Sequence, residues 1–404
     1  DDETPADKGF VPIGSGNVIQ VAGAGSLSGF GQTCSIFESG DVRCWGYGGF
    51  GALGYGNTND IGDDEFPSTA GSVTVGGDVS QLDVGARHTC AVLTSGDVRC
   101  WGTGAQELGY VSSQTMTIGD DEVPATAGSV DVGGKAVQVA VSSYHTCVLL
   151  EVGDVRCWGT NYDGELGTGN LPPNKCYDDN NGFHCTYHPE CCIGDFEAPG
   201  DVEVVDIGGV VTQIAAGNGF TCALLESGQV RCWGKNSNGQ LGYGHTMNIG
   251  DDEPPASAGD VPLGGIAIQI ASGDDHSCAV METGAVRCWG FGFSGKLGYG
   301  NLGTESSLCG GNVIGQFKCD KNSVCCVGDD ETPASAGDVP LGEKAIEVAV
   351  ANASILDSGK ITCVLLESGQ VRCWGGHLGY GAGYVIIGDD ETPEENPNGY
   401  IPLF

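Results

Sequence analysis

Basic residues are scarce in this chain: 16 Lys+Arg stand against 53 Asp+Glu, for a net charge of −37. Polyphosphate would be repelled by such a surface, which excludes nucleic acid and anionic lipid as partners. Long apolar runs are missing too. None reaches the roughly 18–20 residues needed to span a bilayer, so membrane insertion is excluded. No nucleophile elbow, phosphate loop or metalloprotease pattern is present, and the seven histidines form no catalytic constellation. The expectation is a non-enzyme with no catalytic residues and no required cofactor. No apolar leader precedes Asp1-Asp2-Glu3, so any targeting segment is expected to have been removed or to lie outside this sequence.

Glycine and cysteine are abundant. The 404 residues include 71 glycines and 40% hydrophobic residues, against a usual glycine share of about 7%. Such a chain turns often yet has enough apolar surface for a core. At this length two or three domains are normal, unless repeats bury their faces against one another. The 20 cysteines are even in number and strictly spaced. Twelve fall in pairs separated by nine residues, whereas zinc sites favour two to four. Disulfides are therefore expected, and with them an extracellular or cell-surface location.

Six segments share one grammar. In chain order Cys34 pairs with Cys44, Cys90 with Cys100, Cys147 with Cys157, Cys222 with Cys232, Cys278 with Cys288 and Cys363 with Cys373. Trp-Gly follows the second cysteine each time, and Trp45, Trp101, Trp158, Trp233, Trp289 and Trp374 are all the tryptophans in the chain. Successive first cysteines lie 56, 57, 75, 56 and 85 residues apart, a unit of 56 residues with two insertions.

The fourth repeat gives the local reading. Ile214-Ala215-Ala216-Gly217 and Thr221-Cys222-Ala223-Leu224-Leu225 read as strands, Glu226-Ser227-Gly228 as a turn, and Gln229-Val230-Arg231-Cys232-Trp233 as the return. A three-residue loop ending in glycine suits a type I turn with a bulge. If Leu225 faces Gln229, Cys222 falls opposite Cys232, within reach of a disulfide. A Gly-rich segment follows, Asn238 to Gly244, then an acidic turn, Gly250-Asp251-Asp252-Glu253, and a fourth strand is expected around Val261-Pro262-Leu263-Gly264. Four short strands recurring six times without helical periodicity predict an all-β fold: a β-propeller of six blades with four antiparallel strands each. Residues 1–404 read as one domain.

These motifs resemble the regulator-of-chromosome-condensation repeat family. The resemblance rests on His88-Thr89-Cys90, His145-Thr146-Cys147, the Val-Arg-Cys-Trp-Gly strand and Gly239-Gln240-Leu241-Gly242-Tyr243-Gly244, and extends over nearly the whole chain. It implies a propeller, most often of seven blades. Known members include a nuclear exchange factor that docks on chromatin, a plant light sensor and a bacterial secreted inhibitor of β-lactamases, so the resemblance does not decide function. Charge and cysteines contradict chromatin docking here. The light sensor's Gly-Trp-Arg-His-Thr motif is absent. Paired cysteines and Gly-Asp-Asp-Glu-Thr-Pro turns look more like secreted bacterial versions of the repeat.

Two insertions carry the remaining cysteines. Residues 174–193 hold Cys176, Cys185, Cys191 and Cys192, and residues 306–327 hold Cys309, Cys319, Cys325 and Cys326. Adjacent cysteines rarely bond each other, so each doublet is expected to pair with the two cysteines before it, in an order left open. Both loops enter just before the acidic turn and should rise from the same edge of the ring as stapled contact surfaces. Both chain ends carry an acidic turn and a strand-like segment, Phe10-Val11-Pro12-Ile13 and Tyr400-Ile401-Pro402-Leu403-Phe404. Six hairpins thus have seven candidate fourth strands. The spare one could pair with a neighbouring molecule and build head-to-tail polymers.

The acidic turns are the candidate metal sites: Asp63, Asp64 and Glu65; Asp120, Asp121 and Glu122; Asp251, Asp252 and Glu253; Asp329, Asp330 and Glu331; Asp389, Asp390 and Glu391, with Asp195-Phe196-Glu197 degenerate. Three carboxylates beside glycine carbonyls could supply part of a calcium shell, although the spacing is not that of an EF-hand. The competing reading has these turns pairing with a blade arginine or capping backbone donors. Arg43, Arg99, Arg156, Arg231, Arg287 and Arg372 are expected to stack on the tryptophan two residues on, as structure rather than site. His184 and His188 sit in the first insertion, and Asn352-Ala353-Ser354 is a lone glycosylation sequon. The expected function is an extracellular structural or assembly subunit that partners itself. Its rival is a secreted binder or inhibitor that grips another extracellular protein.

Overall fold

The computed structural model describes residues 11–25, 31–104, 106–111, 116–170, 191–300, 326–350, 361–376 and 392–395. Within them every repeat folds as an antiparallel sheet, giving six sheets in chain order. Blade four is typical. Its strands Val211–Gly217, Phe220–Leu225 and Val230–Gly234 lie side by side in sequence order. Cys222 faces Cys232 and Leu224 faces Val230, the register that the turn demands. Gly228 adopts φ +78°, a conformation that costs glycine nothing, and its five counterparts also have positive φ.

All six blade disulfides form between the expected cysteines. Cys34 bonds Cys44, Cys90 bonds Cys100 and Cys147 bonds Cys157. Further round the ring Cys222 bonds Cys232, Cys278 bonds Cys288 and Cys363 bonds Cys373. Each closes a hairpin across a Cα–Cα distance of 4.0–4.1 Å. Cys191, Cys192 and Cys326 are also disulfide-bonded. Cys176, Cys185, Cys309, Cys319 and Cys325 fall outside the described residues.

The fourth strand is not where the sequence placed it. Three blades carry one just before the acidic turn, at Met116–Ile118, Cys192–Ile193 and Cys326–Val327. In blades one and four that position is a single bridge, Gly46 to Ile61 and Gly234 to Ile249. The segment after the turn makes one ladder bond, Val261 N–H to Val230 O at 2.8 Å. It then curls back, with Leu263 N–H donating to Val261 O. Pro262 has no N–H with which to continue a ladder. The described sheets accordingly have three or four strands rather than four throughout.

The first strands line one shared cavity, to which Gln20, Gln81, Gln138, Ile214, Ala271 and Val348 contribute. The core runs from blade to blade, with five of the six tryptophans fully buried in it. Each first strand carries a β-bulge near its start, as between Val211 and Gln213. A bulge re-aims the side chains beyond it, and here it decides how neighbouring blades join.

Candidate functional site

The joint between consecutive blades is built three ways. Just past the bulge stands a glutamine that spans to the next blade. Gln213 donates from Nε2 to Ile270 O and accepts Ile270 N–H, both at 2.9 Å. Gln20 holds Leu82, Gln81 holds Val139, Gln138 holds Ile214 and Gln269 holds Val348 in the same two-point manner. Each clamp satisfies a donor and an acceptor on a strand whose facing edge would otherwise be bare.

The tryptophan makes the second link. Indole N–H groups of Trp101, Trp158, Trp233, Trp289 and Trp374 donate to the carbonyls of Ala52, Glu107, Glu165, Gln240 and Lys296 on the preceding blade, at 2.8–3.1 Å. The third link uses the first residue of the second strand. His88, His145 and His276 reach the hydroxyls of Thr146, Thr221 and Thr362 through Nε2. Burial pushes His88 down to about 4 and His145 down to about 3, so both are neutral at physiological pH. These histidines are joints.

Arginine does not take the expected place over tryptophan. Arg231 and Arg287 pair with Asp260 and Asp338 at 2.8 Å and also donate to the carbonyls of Ile207 and Leu263. Arg43, Arg156 and Arg372 donate to the carbonyls of Ile13, Pro199 and Leu341, and Arg99 to the Ser129 hydroxyl. A guanidinium offers five donors, and backbone carbonyls take them in five of the six blades, while Arg43 also lies 4.9 Å from the centroid of the Phe37 ring. The aspartates that pair with Arg231 and Arg287 lie beyond the acidic turns, which therefore stay free of those arginines.

The N-terminal segment occupies a blade-like position. Ser68 N–H donates to Pro12 O, as Ala256 N–H does to Asp206 O and Ala334 N–H to Pro262 O further round the ring. Val11-Pro12-Ile13 thus provides blade one with the curled segment that every other blade receives from its predecessor. The last of the seven candidate segments, Tyr400 to Phe404, lies outside the described residues.

The passage from blade six to blade one breaks the pattern. Glu347 occupies the clamp position and is exposed. Val21 is 59% exposed, while its counterparts Leu82, Val139, Ile214, Ile270 and Val348 are no more than 2% exposed. Trp45 is the one tryptophan left half-buried. On the other side Ile361 and Cys363 are half-buried, where the matching positions of the other blades are buried.

The acidic turns bring their carboxylates together as expected. In four of them the three groups offer oxygens that all lie within 4.8 Å of one another. Asp389, Asp390 and Glu391 lie outside the described residues, as do His184, His188 and Asn352. Three of the turns also latch to the blade before them: Gly56, Gly169 and Gly244 donate N–H bonds to the carbonyls of Gly119, Gly250 and Gly328 at 3.0–3.1 Å. In blade one the acids cap backbone, Glu65 accepting from Gly62 N–H and Asp63 from Asp64 N–H. Crowding raises the glutamate of each triad. A hydrogen bond with Asp64 lifts Glu65, burial lifts Glu122, and burial first and then the adjacent aspartates push Glu253 up to about 7 and Glu331 up to about 8.

Comparison with known proteins fits this geometry. The pattern described as the regulator of chromosome condensation (RCC1) repeat matches residues 79–106, 136–165, 211–240 and 267–296, and a second of the same description matches 227–280. Each of the first four matches begins at an inner strand and runs through Trp-Gly to the following loop. The chain carries RCC1 repeats.

Among curated proteins it is similar to the RCC1 domain-containing protein RUG3, mitochondrial, of Arabidopsis thaliana. The two are 33% identical over 282 residues, which cover 67% of this chain and 56% of RUG3. The ultraviolet-B receptor UVR8 of the same plant is 28% identical over 301 residues, 67% of this chain and 65% of UVR8. The chain thus spans less than two thirds of either relative. Among solved structures, Prp20p of Saccharomyces cerevisiae matches with a TM-score of 0.63 at 20% identity, over 95% of this chain and 77% of that one. Human WBSCR16 matches with a TM-score of 0.55 at 16% identity, over 87% and 72%. These likenesses establish the fold as an RCC1-type propeller.

The glutamine clamp escaped the sequence reading. Its signal was available: glutamine stands third in five inner strands, and glutamate stands there in the sixth.

Proposed function

We propose that this RCC1-repeat propeller is an extracellular or cell-surface structural subunit whose copies associate head to tail across the seam between blades six and one. One observation carries the reading: Val21 lies 59% exposed at a position that is buried in all five other blades. Each face of the seam is half of a joint that the molecule makes five times over. Blade six, with Glu347 in place of the clamp glutamine and Ile361 in place of the joint histidine, cannot build the usual joint on blade one, which leaves both faces open to a second copy. Because Val11-Pro12-Ile13 already fills its place beside blade one, the C-terminal Ile401-Pro402-Leu403 is left as a tether for a neighbour. Six blade disulfides suit an oxidising space, and the charge of −37 argues against nucleic acid as partner.

A second reading has the ring face gripping one extracellular protein. Its support is the bulged residues Ile19, Val137, Ile268 and Ile346, each 47–58% exposed and repeated at the same place on four blades. Prp20p, which binds Gsp1p and histones, gives a precedent for protein binding by the fold.

Light scattering and electron microscopy of the intact protein test the first reading. Concentration-dependent chains are expected, and Val21→Asp should disperse them without unfolding, because the side chain is already in water. Monodisperse wild-type protein at high concentration sinks it. A stable one-to-one complex formed by that monomer would establish the second.

A further inference from the structure

The acidic turn of blade five differs from its counterparts in one respect. Asp329 is only 6% exposed, and neither of its carboxylate oxygens receives a hydrogen bond from any described group. In blade one the corresponding Asp63 is exposed, and in blades two and four Asp120 and Asp251 are half-exposed. Gly328 and Asp329 press against Gly239 of blade four so closely that a Cβ on Gly239 would sit 2.6 Å from the Asp329 nitrogen, a contact that Gly51 and Gly164 repeat on the turns of blades two and four. Just ahead of the turn, Cys326–Val327 pairs with Gly290 and Phe291.

The other insertion-bearing blade makes an informative contrast. Asp195 is equally buried, at 4% exposure. There Phe196 replaces the second acid, and its N–H donates to Asp195 Oδ1 at 2.9 Å. Blade three has thus lost one ligand and satisfied the aspartate from within. Blade five keeps all three acids, with oxygens within 4.8 Å of one another, and leaves the innermost bare.

A buried carboxylate without a donor, flanked by two more, is unstable unless something positive joins it. We propose that Asp329, Asp330 and Glu331 form a divalent-cation site, selective for calcium. Every donor is an oxygen, as hard cations require. The turn supplies three carboxylates on consecutive residues, an irregular set that suits calcium's flexible six- to eight-fold shell better than magnesium's strict octahedron. Water completes the shell on the exposed side, where Asp330 reaches solvent. A bound cation would pin the exit of the second insertion to the joint between blades four and five. The proposal is independent of whether copies of the chain associate.

Calorimetric titration of the chelator-stripped protein with calcium chloride, alongside thermal melts with and without the ion, tests it. One site per chain and a calcium-dependent rise in Tm are expected. Asp329→Asn and Glu331→Gln should each weaken binding by about tenfold or more, since loss of a group that merely orients a ligand already costs that much. Asp63→Asn, in the exposed turn, should leave it unchanged. If Asp329→Asn does not fold, Glu331→Gln carries the test, since Glu331 lies half-exposed in the turn. No heat and no change in Tm with wild-type protein overturns the proposal. So does equal loss in Asp63→Asn, which would mean diffuse attraction to an acidic surface. Calcium-independent stabilisation by Asp329→Asn would assign the turn to a proton shared between Asp329 and Glu331 instead.

Discussion

The side-chain amide of Gln213 holds the backbone of Ile270 by both its N–H and its carbonyl, each at 2.9 Å, across two blades that share no sheet. Five such clamps close five joints, and the one blade with glutamate in that position borders the seam. A carboxylate can accept a backbone N–H but cannot donate to the carbonyl beside it, so the exchange removes one bond and sets charge against a lone pair. Gln213→Glu should therefore cost about 1–3 kcal/mol, the usual penalty for a buried acceptor left unmet. Urea denaturation at neutral pH would read it. A midpoint equal to wild type would mean that the clamps contribute nothing.

The hairpin disulfides close loops of similar size, so their contributions should be alike. Cys232 lies 10 positions after Cys222, and a loop that short restrains the unfolded chain by about 2–3 kcal/mol. The double variant, Cys222→Ser together with Cys232→Ser, should lose that much by chemical denaturation under oxidising conditions. A loss well below 1 kcal/mol would place the burden of stability on the inter-blade joints alone.

Glu165 is buried beside the indole of Trp233, its oxygens accepting from Thr160 Oγ1 and Asp163 N–H. Burial pushes its carboxyl up to about 7. The folded state then keeps a proton that the unfolded chain releases near the ordinary glutamate value. Stability is full below that value and is lost as pH rises through about 7. Glu165→Gln should remove this dependence and leave the protein more stable than wild type at pH 8, by on the order of 1–3 kcal/mol. Parallel denaturation curves at pH 5 and pH 8 decide it.

His88 acts with the opposite sign. Its folded-state value of about 4 lies below that of the free side chain, so the unfolded chain takes up the proton first. The stabilisation is complete above the ordinary histidine value and is lost as pH falls towards 4. Blade one carries glutamine at this position, where Gln32 donates to Gly85 O at 3.0 Å. His88→Gln should keep the fold and flatten the acid limb of the stability curve. An unchanged acid limb in thermal melts from pH 7 to pH 4 would show that His88 does not set it.

What the sequence settled alone lies within reach of one turn. Gly228 and the nine-residue gap between Cys222 and Cys232 specify the same register, because partners a few residues apart meet with little loss of entropy and the turn type determines which atoms face. The same gap recurs from Cys34 and Cys44 to Cys363 and Cys373, and that repetition counts the blades. The tertiary structure decided everything that depends on residues one blade away. Gln213 and Ile270 are 57 residues apart, and no local pattern says that their strands run side by side. The segment from Val261 to Leu263 turned out of the ladder that the apolar pattern had continued, as the proline-free Val73-Thr74-Val75 does in blade one. The burial of Asp329 was likewise invisible, since its Gly-Asp-Asp-Glu turn reads the same as four others. Burial depends on which neighbours exclude water, and nothing within the turn itself says which they are.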